Sequence, residues 1–261
     1  MRNWFAGKRR VVVIELHGML ASRRGALSTA TMAPVIAAAF RAARGRPVVL
    51  DIDSPGGSPV QSDGIARLIR RHAGETGSPV HAVINEVGAS GGYWLACAAD
   101  DIHANPMSIV GSIGVRGGGF GFTALIGRLG VERRLMTAGV NKARLDPFEP
   151  ERAEDRVFLQ NLLDDLHARF QDWVRERRGA RLRAPDAALF DGGFVLGAAA
   201  QEAGLIDHLG DLDQLVRQLG GPKARARVFR PRRPGLLRRL PGLLLAGTAE
   251  ALEAERARLS L

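Results

Sequence analysis

Short apolar runs alternate with longer amphipathic segments in the N-terminal half of the chain. The runs at residues 11–16, 48–52 and 80–84 are almost entirely apolar, and a short strand is expected near residues 101–104. Between them, apolar positions recur at helical spacing, as in residues 59–72. In these runs polar residues do not occupy every second position. Such strands, when separated by helices, indicate a parallel sheet covered by helices on both faces. The pattern therefore predicts an α/β fold with a parallel sheet core.

One long helix, residues 150–178, dominates the second half of the pattern and is expected to end at Gly179. We interpret its apolar stripe as core or subunit contact. The stripe consists of Leu159, Leu162, Leu163, Leu166, Phe170, Trp173 and Val174. Before this helix, the glycine-rich residues 111–122 lack the Lys-Ser/Thr ending of a phosphate-binding loop. We therefore expect a substrate-lining loop there, able to pair with a peptide backbone.

A candidate nucleophile, Ser90, stands where the run at residues 80–84 passes into a helix. Its neighbours are small, namely Gly88, Ala89, Gly91 and Gly92. A serine on such a turn can expose its hydroxyl, and the amides that follow can face an oxygen atom. The simpler alternative is that Ser90 only caps the next helix.

A second glycine turn follows the run at residues 48–52. Gly56 and Gly57 come next, after which Ser58 can cap and Pro59 can open a helix. If the two strands are neighbours, the two turns could direct two N–H groups at one oxygen atom.

Lys142 is a candidate general base because lysine is rare in this chain. Of 37 basic residues only three are lysine, the others being Lys8 and Lys223. Arginine serves wherever a positive charge suffices, but it does not release a proton near neutral pH. A lysine shielded from water can do so, with a pKa of about 7 to 8.

Taken together, these segments resemble the signal peptide peptidase A group of serine peptidases, family S49. The matching stretches are residues 51–58, 88–92, 111–115, Lys142 with residues 146–148, and residues 193–210, within a region from about residue 11 to about residue 219. The resemblance implies a Clp protease/crotonase-like fold and a Ser/Lys dyad of Ser90 and Lys142. It also implies that Gly57 and Gly91 donate to the oxyanion and that Ser112 orients the lysine amine.

The resemblance further implies a serine endopeptidase that hydrolyses cleaved signal peptides or other unfolded or membrane-released segments, without a cofactor. The chain has the length of one unit of the double-length relatives, so we expect a ring of identical subunits in which Lys142 serves the Ser90 of a neighbour. The stripe of residues 150–178, with Tyr93 and Trp94, is expected to supply the apolar contact area.

Two alternatives remain open. His17 ends the first strand and could form a Ser/His/Asp triad with Ser90 and Asp53, although Asp53 is better explained as a turn residue that binds the backbone of residues 54–57. A crotonase-like fold could instead bind an acyl-CoA thioester, or serve as a scaffold without catalysis.

The net charge of +10 is concentrated near the C-terminus. Residues 223–239 hold eight basic and no acidic residue, which leaves 29 basic against 27 acidic residues elsewhere. We find no zinc spacing, Walker loop or RNA-binding aromatic motif, so neither a metal nor nucleic acid is predicted. The basic tail is expected to be solvated or to touch an anionic membrane surface.

The sequence divides into a short basic extension (residues 1–10), a peptidase domain (residues 11–220) and a basic, then leucine-rich tail (residues 221–261). Residues 1–10 contain no apolar run, so we expect no signal peptide or anchor and a cytoplasmic location, with peripheral contact at the inner face of the membrane through the tail. The only cysteine, Cys97, excludes an internal disulfide and is expected to be a buried structural thiol.

Overall fold

A computed structural model describes residues 10–23 and 25–231, and these ranges form a sheet flanked by helices. The strands are β1 (Arg10–His17), β2 (Val48–Ser54), β3 (Val80–Ala89), β4 (Asp101–Ala104), β5 (Ile109–Gly111), β6 (Phe194–Leu196), β7 (His208–Leu209) and β8 (Arg225–Phe229). The helices are α1 (Thr29–Ala43), α2 (Pro59–Thr76), α3 (Gly91–Ala96), α4 (Thr123–Arg128), α5 (Ala153–Arg178), α6 (Asp186–Leu189), α7 (Gly197–Ala203) and α8 (Leu212–Gly220), with a 3-10 turn at Gly179–Arg181.

The sheet has the order β6-β5-β3-β2-β1-β8, and β4 lies beside β3 and β7. All described strand pairs are parallel except β5 with β6. The predicted parallel core is therefore confirmed. Because β2 and β3 are neighbours, the two glycine turns that follow them lie at the same edge of the sheet.

The two faces of the sheet are covered unequally. Val12, Ile14 and Leu16 of β1 face the larger core, which also contains residues of α1, α2 and α3. Val11 and Val13 face a smaller cluster with residues of α8. Successive β1 side chains therefore point into two separate cores, which explains why residues 11–14 are apolar without alternation.

Strand β8 was not predicted from the sequence. It pairs with β1 at the edge of the sheet, and most of its residues are exposed. Its sequence, Arg-Ala-Arg-Val-Phe, lacks the continuous apolar run of a central strand. This is expected, because β8 has a neighbouring strand on one side only and most of its side chains face solvent.

Helix α5 packs into the apolar core only near its C-terminal end, although Asp155 in its first turn is also buried. Phe170 and Val174 lie in the core, whereas Val157, Phe158 and Leu162 are exposed. Before this helix, residues 116–150 contain no buried position, and we call this segment the lysine arm. The stripe predicted for residues 150–178 is therefore core at one end and open surface at the other.

Within the described ranges, no helix is both long and apolar enough to cross a membrane. Residues 1–9 and 232–261 lie outside those ranges. The predictions for the N-terminal extension and for the leucine-rich part of the tail fall there.

Candidate active site

Ser90 is the first residue after β3 and has a left-handed backbone, with φ 52°. Such a φ is strained for a residue with a side chain and recurs at functional turns. The Ser90 N–H donates to the Gly111 carbonyl at 2.8 Å, and the Ser90 carbonyl accepts from the Trp94 N–H at 3.0 Å. Its hydroxyl has no hydrogen-bond partner among the described residues and does not cap α3. The backbone is therefore fixed on both sides while the hydroxyl stays free, as a nucleophile requires.

The end of β3 contains an irregularity just before Ser90. The register with β2 advances from Ile52–Ile84 to Ser54–Gly88, so β3 has extra residues there, as in a β-bulge. The Asp53 carboxylate accepts the Val87 N–H of this bulge at 3.2 Å. Asp53 therefore supports the strand that carries Ser90. The prediction that it binds the following turn is wrong, because the Ser54 hydroxyl accepts the Gly56 N–H instead.

The turn at Gly56 and Gly57 lies directly against Ser90. A Cβ atom on Gly56 would be 2.6 Å from the Gly91 nitrogen and 2.8 Å from the Ser90 Cβ, so only glycine allows this approach. The Leu20 N–H donates to the Gly56 carbonyl, and the Leu20 carbonyl accepts from the Ser58 N–H. In such a parallel bridge the residue in between, Gly57, turns its own N–H to the opposite side. That amide is left for another acceptor.

Gly91 and Ser112 complete the group around Ser90. The Gly91 amide follows Ser90 at the start of α3 and has no hydrogen-bond acceptor among the described residues. Gly111 is the register partner of Ala89, which places Ser112 beside Ser90 on the adjoining strand end. Ser112 also has a left-handed backbone, with φ 53°, and its N–H donates to the Gly193 carbonyl at 2.6 Å. Four of the five predicted site residues thus come together.

Lys142 is not brought to this group within the single chain. It lies in the lysine arm, where its N–H donates to the Gly139 carbonyl at 3.1 Å. Its side chain is exposed, and within the described ranges it has no hydrogen bond or ion pair. A cavity of about 740 Å³ lies between the arm and the start of α5, but Ser90 does not line it. Any meeting of Lys142 with a serine therefore requires a second subunit or a rearrangement of the arm.

Helix α3, which follows Ser90, is held by side chains that the sequence analysis did not assign to the site. The Tyr93 hydroxyl donates to the Leu205 carbonyl at 2.7 Å, and the Trp173 indole donates to the Trp94 carbonyl at 3.0 Å. Arg177 of α5 donates to the Cys97 carbonyl at 2.9 Å. One sequence feature could have indicated this role of Tyr93: it is the only tyrosine of the chain and lies close to the candidate nucleophile.

These contacts correct the prediction that Tyr93 and Trp94 supply subunit contact area. Tyr93 is fully buried and Trp94 is nearly so, because both pack inside the larger core. Cys97 is buried as predicted, and burial raises the pKa of its thiol to about 12. The thiol is therefore unreactive near neutral pH.

A known protein family matches the part of the chain that contains Ser90. A sequence model described as "Peptidase family S49" matches residues 72–224, more than half of the chain. The chain belongs to peptidase family S49. The match includes Ser90, Ser112 and Lys142, and it confirms the family that the motifs indicated.

Named relatives of this S49 chain differ in length and description. The Na(+)/H(+) antiporter NhaA of Brucella melitensis is 44% identical over 246 residues, which are 93% of this chain and 33% of the antiporter. A putative protease of Methanocaldococcus jannaschii is 32% identical over 172 residues, 66% of this chain and 54% of that protein. The probable protease SohB of Buchnera aphidicola is 30% identical over 169 residues, 65% of this chain and 49% of that protein. The S49 chain thus spans about a third of the antiporter and about half of the two proteases.

Solved structures confirm the fold. Two mutants of the 1510-N membrane-bound stomatin-specific protease superimpose with TM-scores of 0.55 and 0.52 at 14% identity. They cover 87% and 91% of this chain, and the second is in complex with a substrate peptide. The Clp protease/crotonase-like fold class of the S49 chain is therefore confirmed.

The alternative base, His17, has another partner in the S49 chain. Its Nε2 is 3.1 Å from Oδ2 of Asp51, and the hydrogen bond to Asp51 raises the pKa of the imidazole despite partial burial. By strand alternation His17 shares the sheet face of Val11 and Val13, opposite the core that contains α3. Neither His17 nor Asp53 has a hydrogen bond to Ser90, so the structure gives no support to a triad.

Proposed function

We propose that this S49 chain is a serine endopeptidase in which Ser90 is the nucleophile and Lys142 of a neighbouring subunit is the general base. The observation that carries the proposal is the left-handed Ser90, which lies against the Gly56–Gly57 turn and whose hydroxyl has no partner in the described ranges. A nucleophile beside two N–H groups without acceptors is the arrangement that acyl transfer needs.

The proposed reaction proceeds through an acyl-enzyme. Neutral Lys142 takes the proton of the Ser90 hydroxyl while the serine oxygen bonds to the scissile carbonyl carbon. The Gly57 and Gly91 amides donate to the resulting oxyanion, and one such donor contributes on the order of 3 kcal/mol. Lys142 then protonates the leaving amine as the C–N bond breaks, and water releases the acyl group by the same steps. Ser112 holds the lysine amine in position.

The exposure of Lys142 favours a base supplied between subunits. A lysine amine becomes an effective base only when it is shielded from water, and the single chain does not shield it. Apolar side chains of the lysine arm are exposed around it, Met136 by 96% and Val140 by 95%. Docking of the arm on a neighbour would bury both the apolar surface and the amine, and repetition of this contact would close a ring.

The proposed substrates are unfolded or membrane-released peptides, including cleaved signal peptides, with small or apolar side chains. The glycine-rich start of the lysine arm and the exposed edge strand β6 offer backbone groups to an extended peptide.

We also propose a cytoplasmic location with peripheral contact through the tail. Because β8 belongs to the sheet, the tail should be removed after Pro231, and sedimentation with anionic liposomes should then be lost while hydrolysis remains.

The test compares three lysine variants on a fluorogenic peptide and with a serine-directed fluorophosphonate. Lys142→Ala and Lys142→Arg should both lose at least about a hundredfold in turnover, because arginine keeps the charge but supplies no base. Lys223→Arg is the matched control and should keep wild-type turnover. In the wild type, intact mass should show one adduct, located at Ser90.

Two results would contradict the proposal. If Lys142→Arg keeps more than about a tenth of wild-type turnover, the base is another residue. If the wild type neither reacts with the fluorophosphonate nor hydrolyses peptides but binds coenzyme A tightly, the acyl-CoA-binding alternative is correct.

A further inference from the structure

Three side chains with metal-binding atoms converge on one flank of the sheet, near the start of β3. His81 lies on β3 and is the register partner of Asp101 on β4, and His103 follows Asp101 by two positions. All three therefore project from the same face. The Nδ1 atom of His81 is 2.8 Å from Oδ1 of Asp101, and Nε2 of His103 is 3.3 Å from the same oxygen. The three donor atoms lie within 4.8 Å of one another.

These distances fit a small metal ion. Zinc binds imidazole nitrogen and carboxylate oxygen at about 2.0 to 2.2 Å, so neighbouring ligand atoms of a tetrahedral site lie about 3.3 Å apart. The two spacings to Asp101 are within about half an ångström of that value, and the spacing between the two imidazoles is at most 4.8 Å. Both strands are paired backbone to backbone, so the ligands need only rotate their side chains.

We propose that His81, Asp101 and His103 bind a divalent transition-metal ion, with zinc as the ion that the donors favour. Two imidazoles and one carboxylate suit zinc, whereas magnesium and calcium prefer oxygen donors. Three protein ligands leave the fourth position to water. The ligands are separated along the chain and meet only through strand pairing, so the sequence contains no zinc spacing.

The choice of partners for Asp101 supports this site. The neighbouring Asp100 is 2.8 Å from Arg70, as expected in a chain so rich in arginine. In the described ranges no arginine or lysine pairs with Asp101, and its partners are two histidines. Of the six histidines in the chain, three lie on this flank, since the ring of His208 packs on that of His103 with centroids 4.8 Å apart.

The group is also partly enclosed by the protein. The Asp101 side chain is exposed by 31%. His81 and His103 are mostly shielded from solvent, with side chains exposed by 16% and 9%.

The site is separate from the proposed chemistry. His81 precedes Ser90 by nine positions, and even with the irregularity at the end of β3 this corresponds to about 20 Å along the strand. An ion held there would join β3 to β4 and, through the packing of His208 on His103, would stiffen β7. We therefore expect metal removal to lower the melting temperature without changing the turnover of peptide hydrolysis.

The experiment titrates the full chain, prepared without a histidine tag and treated with a chelator, with Zn²⁺ and with Co²⁺. One ion per chain should bind, and Co²⁺ should give the visible absorption of a tetrahedral site. His81→Gln and Asp101→Asn should each weaken binding at least about tenfold, since each removes one of three ligands. His17→Gln is the matched control, because His17 forms a single His–Asp pair with Asp51 on the same sheet face.

The proposal is overturned if the wild type binds no Zn²⁺, or if both ligand variants bind it as tightly as the wild type. Equal weakening by His17→Gln would also overturn it, since the ion would then lie elsewhere. Circular dichroism in chelator checks the fold of each variant. Asp101→Asn is nearly isosteric and carries the test if His81→Gln does not fold.

Discussion

Ser90 and Lys142, the two residues of the proposed dyad, have opposite surroundings in the described chain. Ser90 lies between buried strands, its backbone is hydrogen-bonded on both sides, and α3 behind it is held by Trp173 and Arg177. The lysine arm contains no buried residue, and the side chain of Lys142 has no partner in the described ranges. One half of the proposed dyad is thus organised by the fold of a single chain. The position of Lys142, the other half, depends on the surface against which the lysine arm docks.

This comparison predicts that substitutions near Ser90 act on stability and chemistry, whereas substitutions in the lysine arm act on assembly. The largest expected effect concerns Arg178, which is buried at the end of α5. It donates to Asp207 at 2.7 and 3.0 Å and to the Gly204 carbonyl at 2.8 Å. Arg178→Met should lower the free energy of unfolding by about 3 kcal/mol, because Asp207 keeps a partly buried charge and only the more distant Arg181, at 3.7 Å, remains as a cation.

The control for Arg178→Met is Arg134→Met in the lysine arm. Arg134 pairs with Glu132 on the surface, and its loss should cost less than about 1 kcal/mol in urea unfolding.

The contribution of Arg178 should also depend on pH. Burial raises the pKa of Asp207, but the hydrogen bonds and charge of Arg178 outweigh the effect of burial, so the pKa of Asp207 is lowered. The stabilisation is therefore present above about pH 4 and lost as the pH falls below it, so the gap between wild type and Arg178→Met should narrow in acid. A constant gap would contradict this explanation.

The next effect concerns the contact between the two glycine turns. Gly56→Ala would place a Cβ atom 2.6 Å from the Gly91 nitrogen and would displace an amide of the proposed oxyanion site. Turnover should fall about a hundredfold or more. Gly127→Ala is the matched change in the lysine arm, where a Cβ atom meets nothing within 4 Å. Gly127→Ala should leave turnover unchanged. If Gly56→Ala and Gly127→Ala lower turnover equally, the close contact at Gly56 is not what the oxyanion site requires.

A smaller effect is expected at the surface of the lysine arm. Val140→Glu puts a charge on a side chain that is 95% exposed in the single chain, so the monomer should melt as the wild type does. If the arm docks on a neighbour, the assembly should dissociate and turnover should fall about tenfold or more, since a buried unpaired charge opposes association. Val60→Glu on α2, exposed by 73%, is the control and should change neither property. Sedimentation velocity and peptide hydrolysis measure the two effects, and an active Val140→Glu monomer would exclude docking of the arm.

The sequence predicted the parts of this fold that depend on local pattern. Strands such as β2 are buried on both faces and are therefore visible as short, largely apolar runs, and the helix start at Ser58 and Pro59 follows capping rules. The meeting of the two glycine turns was expected because parallel strands end at a common edge. The edge strand β8 lacks that signal, because four of its five residues are exposed.

Other features depend on packing between distant segments and were not available from the sequence. Tyr93 and Trp94 were expected at a surface, because a pattern of apolar residues does not show which side of a short helix is covered. The metal-binding group requires His81 and His103 to meet through the pairing of β3 with β4. Likewise, the spacing of Ser90 and Lys142 along the chain does not say whether they meet in one subunit or between two.

The central claim, a dyad formed between subunits, is tested most directly by complementation. Ser90→Ala and Lys142→Ala proteins are unfolded and refolded together, and hydrolysis by the mixed assembly is compared with that of each variant refolded alone. Some interfaces of the mixture pair an intact Ser90 with an intact Lys142, so activity should reappear although neither variant has any. If mixed assemblies form and remain inactive, the two residues act within one chain and the claim is wrong.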